Sequence, residues 1–402
     1  MKDLADQSID LVVTSPPYPM IEMWDEIFAS LQPNIKKLLA KGNGNGAFEA
    51  MHQVLDSIWE ECYRVLKPGG FACINIGDAT RTIKENFSLY TNHARILTST
   101  QKIGFSNLPC ILWRKQTNAP NKFMGSGMLP AGAYVTLEHE YVLILRKGGK
   151  REFTREADKI NRRQSALFWE ERNAWFSDVW FDIKGTVQSL ADKTARKRSA
   201  AYPLELALRL INMYSVKGDQ VLDPFLGTGT TMAAAMAMGR NSVGYEMDPS
   251  LGPVISAMTK TIVDSAHQVM QKRLVRHINF VLERMEAKGP LKHKNSHYGF
   301  PVITAQEKVL LFNLPLKVTQ SPDHTYKVSY DKLPQKEFCR DWSRRKKPKH
   351  QKMVLNRGNC FNLKSLGVFL LMIFFQMEIN PGRSLVQLPH SRGDKIPTQG
   401  KG

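Results

Sequence analysis

The sequence of 402 residues predicts a doubly wound α/β fold: a mainly parallel sheet with one antiparallel hairpin, followed by a basic C-terminal extension. Three observations lead to that class. Short runs of branched apolar residues alternate with segments of helical periodicity. Two of those runs end in loops rich in proline or glycine, as loops at the carboxyl ends of buried parallel strands do. Between them a helix, a Pro-Gly-Gly stop and a strand follow one another as in a βαβ unit.

Taken in order, residues 9–13 (IDLVV) read as a buried parallel strand. Thr14-Ser15-Pro16-Pro17-Tyr18-Pro19 ends it, and three prolines in four positions exclude both helix and ladder, leaving a rigid loop. A mobile stretch follows, loosest at the KGNGNG of residues 41–46. Over residues 52–67, Val54, Leu55, Ile58, Trp59, Cys62, Tyr63 and Leu66 recur at helical spacing. Pro68-Gly69-Gly70 stops that helix, and residues 71–78 form a second buried strand. Two further strands, 108–114 and 140–146, flank a Gly/Pro-rich loop at 118–133 and can pair as an antiparallel hairpin. Residues 150–198 are charged and aromatic with weak periodicity, and suit a small insert better than sheet core. Residues 203–214 are an amphipathic helix with Pro203 in its first turn. A strand at 220–222, the loop DPFLGTG, a helix at 230–238 and a strand at 242–245 follow, then a long helix over roughly 250–288. The α/β domain so outlined covers residues 1–286, and 287–402 form the basic extension.

The formal net charge is +19 and the pI about 9.7. Such an excess draws polyanions, so nucleic acid leads the candidate partners, with a merely solvated basic surface as the alternative. Most of the surplus lies beyond Ala287, densest in RRKKPKHQK at 344–352, just after Trp342. The five cysteines (62, 73, 110, 339 and 360) form no CxxC pair and no His/Cys cluster at metal spacing. They read as reduced thiols of a cytosolic protein, with no metal site. The N-terminus is too polar for a signal peptide. The apolar run at 366–375 is too short for a bilayer and reads as a buried strand or helix, so no membrane partner is expected.

Two constellations carry chemistry. In DPFLGTGTT (223–231), Gly227 and Gly229 let the backbone approach a ligand, and the helix that opens at Thr230 offers free N–H groups to an anion. Glu246 ends the next strand about twenty residues on, where a carboxylate can accept both hydroxyls of a ribose. A Gly-x-Gly turn alone is weak evidence; Glu246 at that spacing strengthens it. No GxxxxGK[ST] is present, which disfavours nucleoside triphosphates. The second constellation is TSPPYP. An exocyclic amine is a poor nucleophile because its lone pair is delocalised into the ring. Accepting hydrogen bonds from both amine hydrogens pulls the nitrogen toward tetrahedral geometry. The Ser15 hydroxyl and the Pro16 carbonyl are suitable acceptors, held in place by Pro16 and Pro17. Tyr18 offers a flat face to a flipped base. By itself the motif also fits an ordinary proline-rich turn.

Together the two loops resemble the amino-methyltransferases of restriction–modification systems. TSPPYP resembles their catalytic motif and DPFLGTGTT their methyl-donor loop, in the order of the permuted class called beta. WEECYRVLKPGG (59–70) and EHEYVLILRK (138–147) resemble further family segments. SAAYPLELALRLINMYS (199–215), with Tyr202 and Pro203, resembles the helix that closes over the donor. The resemblance spans roughly residues 3–250 and implies a Rossmann-like methyltransferase sheet. It implies direct in-line methyl transfer from S-adenosylmethionine to a base amine, without metal or covalent base adduct. On this reading Ser15, Pro16, Pro17 and Tyr18 are catalytic. Asp223, Pro224, Phe225, Gly227, Gly229 and Thr230, with Glu246, Tyr202 and Pro203, bind the donor. Serine before the prolines usually accompanies cytosine N4, and aspartate adenine N6. Carbon-5 chemistry would need a Pro-Cys-Gln setting; Cys110 follows Pro109 but precedes Ile111, and is assigned to the core.

The implied partners are double-stranded DNA and a cognate restriction endonuclease, and the implied location is the cytoplasm, on the nucleoid. Residues 150–198 are the candidate target-recognition insert, with Arg155, Arg162, Arg163, Lys193, Arg196, Lys197 and Arg198 for phosphates or bases and Trp169, Trp175 and Trp180 as its core. The basic extension is expected to add phosphate contacts sensitive to salt. Relatives carry a Gly-Asp segment just upstream of the first strand that is missing before Ile9. A different start, a substitute piece or weaker donor binding are the alternatives. The rival functions are N6-adenine methylation, a catalytically impaired DNA-binding homologue, and an RNA or protein amine as substrate.

Overall fold

The computed structural model describes residues 1–115, 127–185, 202–321, 325–339 and 342, with the backbone of 124–125. In chain order its strands begin with β1 (Ile9–Thr14), β2 (Leu66–Ile76), the hairpin of β3 (Ala79–Ile83) and β4 (Asn86–Tyr90), and β5 (Phe105–Arg114). The short β6 (Met124–Gly125) and β7 (Ala133–Tyr134), β8 (His139–Lys147), β9 (Val179–Trp180), β10 (Gln220–Asp223) and β11 (Asn241–Gly244) follow. Helices α1 (Asp25–Leu31), α2 (Asn34–Lys41), α3 (Gly44–Val65) and α4 (Asn92–Ile103) lie in the first part. They are followed by α5 (Glu156–Gln164), α6 (Trp169–Trp175), α7 (Leu204–Tyr214), α8 (Thr230–Ala237) and α9 (Gly252–Lys288).

Seven strands form one sheet in the order β11-β10-β1-β2-β8-β5-β9. β11, β10, β1 and β2 are parallel, β8 runs antiparallel to both β2 and β5, and β9 is parallel to β5. The expected architecture is therefore present, including the β5–β8 pairing. Strand alternation sends Leu11, Val13 and Cys73 to one face, under α7, α8 and α9. Val12, Ala72 and Ile74 face the other, under α3 and α4. Helices on both faces make the sheet doubly wound, which is why its inner strands are apolar almost throughout.

Four expectations change. KGNGNG is not the loosest point: α2 ends at Lys41, the Asn43 side chain accepts the Gly46 N–H at 2.9 Å, and α3 starts at Gly44. A Cβ at Gly44 would collide with the Tyr90 hydroxyl, so close packing explains that glycine. Second, β2 starts at Leu66 and passes through Pro68-Gly69-Gly70, with a register shift opposite Ile9 to Leu11. Third, the region after residue 150 is not separate from the sheet. Val179–Trp180 adds its edge strand, Phe168 and Trp180 are buried in the main core, and Trp175 is buried as well. Trp169 is half-buried and stacks on Phe280 of α9. Cys110 is likewise only half-buried, on β5.

Fourth, the chain beyond residue 287 does not begin a detached extension. Residues 1–347 form one compact unit. Tyr298, Phe300, Leu310, Phe312 and Phe338 are buried against the apolar stripe of α9 (Ile262, Met270, Leu274, Ile278). Lysines between these aromatics carry the charge outside, so net charge concealed a core segment. The 344–352 run and the apolar run at 366–375 lie outside the described residues. Among the described residues no helix is long and apolar enough to cross a membrane.

Candidate active site

Because β1, β2, β10 and β11 are parallel, the loops that leave their carboxyl ends share one edge of the sheet. A cavity of about 770 Å³ opens there. Ser15, Pro16 and Pro17 line it from the β1 loop, and Asp223, Pro224, Phe225, Gly227 and Thr230 from the β10 loop. Tyr202 and Glu246 complete the predicted set, while Trp24, Phe28 and Leu31 of the α1 region supply an apolar wall. The two loops are adjacent in space although about two hundred residues separate them, since Val12 pairs with Leu222 in neighbouring strands.

The two loops are also bonded to each other. Asp223 is 3% exposed and collects donors on both carboxylate oxygens. Thr14 Oγ1 donates to Oδ1 at 2.6 Å, the Phe225 N–H donates to Oδ1 at 3.1 Å, and Thr231 Oγ1 donates to Oδ2 at 2.7 Å. The Tyr202 hydroxyl in turn donates to Thr231 Oγ1. Burial pushes the Asp223 carboxyl above its ordinary value, against these hydrogen bonds, which favour the ionised form. Burial also raises the Tyr202 phenol, which stays protonated as a donor.

Gly227 takes a left-handed φ of +54°, and a Cβ there would meet only the Phe225 carbonyl at 3.9 Å. Backbone conformation, rather than crowding, calls for glycine at this point. Its N–H donates to Glu246 Oε2 at 2.7 Å, while the Asp248 N–H donates to Oε1 at 2.8 Å. Each carboxylate oxygen thus keeps a lone pair for a ligand hydroxyl. Gly229, at φ +84°, caps α8, and a Cβ there would lie 3.0 Å from Met258 of α9.

Gly229, Pro203 and Tyr18 are not among the cavity's lining residues. Pro203 caps α7. Tyr18 is half-buried beside the cavity, with its ring edge against Gly77. Its hydroxyl accepts from Ser15 Oγ at 3.2 Å and from Asn75 Nδ2 at 2.9 Å, and donates to Glu140 Oε2 at 3.0 Å. Burial, then the nearby Glu140 charge, raises the Tyr18 phenol well above its ordinary value. Sequence reasoning missed Thr14, Thr231, Asn75, Lys115 and Glu140. The threonines flank the two motifs, and Glu140 stands within EHEYVLILRK, which was the available signal.

Arg155, Arg162 and Arg163 occupy the opposite edge of the sheet. β8 ends at Lys147 beside Phe105, the first residue of β5, and α5 follows from there. A strand's length, roughly 20 Å, separates that edge from the cavity. Lys193, Arg196, Lys197 and Arg198 lie outside the described residues. Glu170, His277 and Glu307 place metal-type donor atoms near one another; most of these atoms already bond within the protein, and Glu170 Oε2 is buried without a partner among the described residues. His277 Nδ1 lies 2.9 Å from Glu170 Oε1, and the Glu307 carboxylate accepts the Trp169 and Thr304 N–H groups.

A doubly wound sheet whose carboxyl edge brings a proline-rich loop and a glycine-rich loop to one cavity is the architecture of a class I methyltransferase. The chain belongs to the DNA methylase family, whose N6/N4 methyltransferase model matches residues 9–255. It is 48% identical over 339 residues to the type II methyltransferase M.MthZI of Methanothermobacter thermautotrophicus, covering 84% of this chain and 94% of that protein. It is 51% identical over 266 residues to the type II methyltransferase M.MjaI of Methanocaldococcus jannaschii, covering 63% and 86%. Among solved structures it is similar to TTHA0409 of Thermus thermophilus, described as a DNA modification methylase and complexed with S-adenosyl-L-methionine. That match has 32% identity, 65% and 89% coverage and a TM-score of 0.50.

Proposed function

We propose that this chain methylates the N4 amine of cytosine at a specific site in double-stranded DNA. S-adenosylmethionine is the methyl donor, and its sulfonium supplies an electrophilic methyl group. One observation carries the reading: Ser15 and Pro16 line the same cavity as the Asp223–Thr230 loop and Glu246. The cavity volume is within the ordinary range for a cofactor plus a reacting base edge. Glu246 would take the ribose hydroxyls, and Gly227 and Phe225 the amino-acid part. Ser15 Oγ and the Pro16 carbonyl would accept the two amine hydrogens, raising nitrogen nucleophilicity along the line of attack. Serine in front of Pro16 supports cytosine over adenine. Similarity to two type II methyltransferases supports a role beside a cognate restriction endonuclease, in the cytoplasm on the nucleoid.

The test is nucleoside analysis of DNA incubated with the protein and radiolabelled donor. N4-methylcytosine is expected, whereas N6-methyladenine would move the assignment to adenine. Ser15→Ala should abolish incorporation while sparing donor binding. No incorporation by the unaltered chain would leave a DNA-binding homologue that has lost catalysis.

A further inference from the structure

Glu140 lies on β8, outside the donor cavity's lining, yet it terminates the hydrogen-bond chain that starts at Ser15. An ionised carboxylate has no proton to give, so every bond it makes must be an acceptance. Tyr18 therefore donates to Glu140 Oε2, at 3.0 Å. With that proton committed, the Tyr18 oxygen is left to accept, and it accepts from Ser15 Oγ at 3.2 Å. The Ser15 proton is committed in turn, and its lone pairs are what remain for the cavity.

Two neighbours reinforce the direction. Asn75 Nδ2 donates to the Tyr18 oxygen at 2.9 Å and to Glu140 Oε2 at 2.7 Å. The Asn75 side chain is 2% exposed, and its Oδ1 has no partner among the described residues. Turning the amide over would set its oxygen 2.7 Å from the Glu140 carboxylate, acceptor against acceptor. Lys115 Nζ donates to Glu140 Oε1 at 3.0 Å, so the second carboxylate oxygen is also an acceptor.

We infer that Glu140 is a positioning residue that fixes the polarity of the Ser15–Tyr18 chain, so that Ser15 presents only acceptor capacity to the target base. This rests on the methyl-transfer reading of Ser15. Such a site welcomes an exocyclic amine, which brings hydrogens. It rejects a carbonyl in the same position, because two lone pairs then face each other without a proton between them. Glu140 would thereby distinguish an amine-bearing base from its deaminated counterpart without touching either.

Glu140→Gln keeps the size of the side chain and gives it donors, so the chain can reverse and Ser15 can donate into the cavity. The methylated site is first read by modified-base sequencing of DNA from cells expressing the protein. Binding is then measured on short duplexes with the target base intact or with its amine replaced by a carbonyl (uracil for cytosine, hypoxanthine for adenine). The unaltered protein should favour the amine duplex, and Glu140→Gln should narrow that preference by at least about tenfold. Single-turnover methylation by the variant should fall about 10²-fold, with donor affinity unchanged. Tyr18→Phe cuts the same chain without altering Glu140 and should lose the same preference, which decides the matter if Glu140→Gln fails to fold. A slower rate with the preference intact would overturn the inference, as would two variants equal to the unaltered protein. If Ser15→Ala were fully active, the methyl-transfer reading itself would fall; if Ser15→Ala is inactive while both variants keep the preference, only the role of Glu140 does.

Discussion

Replacing Thr14 by valine removes one donor from a buried carboxylate and leaves the shape of the site nearly unaltered. Asp223 Oδ1 would lose its 2.6 Å bond and keep the Phe225 N–H at 3.1 Å. A hydrogen bond to a charged group contributes about 1.5–3 kcal/mol, and one between neutral groups about 0.5–1.5. The loss should therefore depend on the charge of Asp223. Burial holds this carboxyl above its ordinary 3.8, so the folded chain binds the proton more tightly than the unfolded one. The stability this gives is complete below 3.8 and disappears as the pH rises through the folded value. Above that value the carboxylate is ionised and depends on its donors. Thr14→Val should thus cost about 1.5–3 kcal/mol where Asp223 is ionised, a fall in the thermal midpoint of about 3–6 °C, and about 0.5–1.5 kcal/mol where it is protonated, so the cost should be larger at the higher of two pH values that bracket its titration. Calorimetry of both proteins in matched buffers cancels the other titrating groups. A cost that is equal at both pH values, or below about 0.5 kcal/mol throughout, would refute the account of Asp223 as an ionised hub.

Further outcomes follow from the same geometry. Gly227→Ala forces a side chain into φ +54° at a cost of about 1–2 kcal/mol, so donor affinity measured by titration calorimetry should fall roughly tenfold. Glu246→Gln should weaken donor binding at least about tenfold, with little change in the midpoint of the ligand-free protein, because its carboxylate is at the exposed rim. Glu171→Gln breaks a buried pair with Arg273, whose bonds are 2.6 and 2.8 Å, and should cost about 3–5 kcal/mol in denaturant unfolding. A chain ending at Lys347 should keep its thermal midpoint and show a shallower salt dependence of DNA binding. An unchanged slope would remove the basic tail from the interface.

The parts of the fold legible in the sequence are those set by local chemistry. β1 and β10 are short, apolar and cut off by proline or glycine, so both strands and both site loops could be read directly. Glu246 was legible because a strand places it at a fixed distance from the donor loop. Local pattern could not separate Gly227, which faces the cavity, from Gly229, which caps α8 beneath α9. It also read the glycines of 41–46 as looseness, although Gly44 is pressed against Tyr90. The chain from Ser15 through Tyr18 to Glu140 and Asn75 crosses β1, β2 and β8, and only sheet order brings those residues together. The two residues of β9 are too few for any period to register.

The long helix α9 gives the molecule a boundary that differs from the one the family model marks. The likeness to M.MthZI extends over 339 residues, whereas that model ends at residue 255, one turn into the helix. The core does not end there, since Met270, Leu274 and Ile278 carry it on to Tyr298, Phe312 and Phe338. A fragment cut at residue 255 would retain every residue assigned to chemistry and still present a bare oily flank on α7 and α8. Such a fragment is expected to clump rather than methylate, because the residues that do the chemistry and the residues that keep the fold in solution end at different points of the chain.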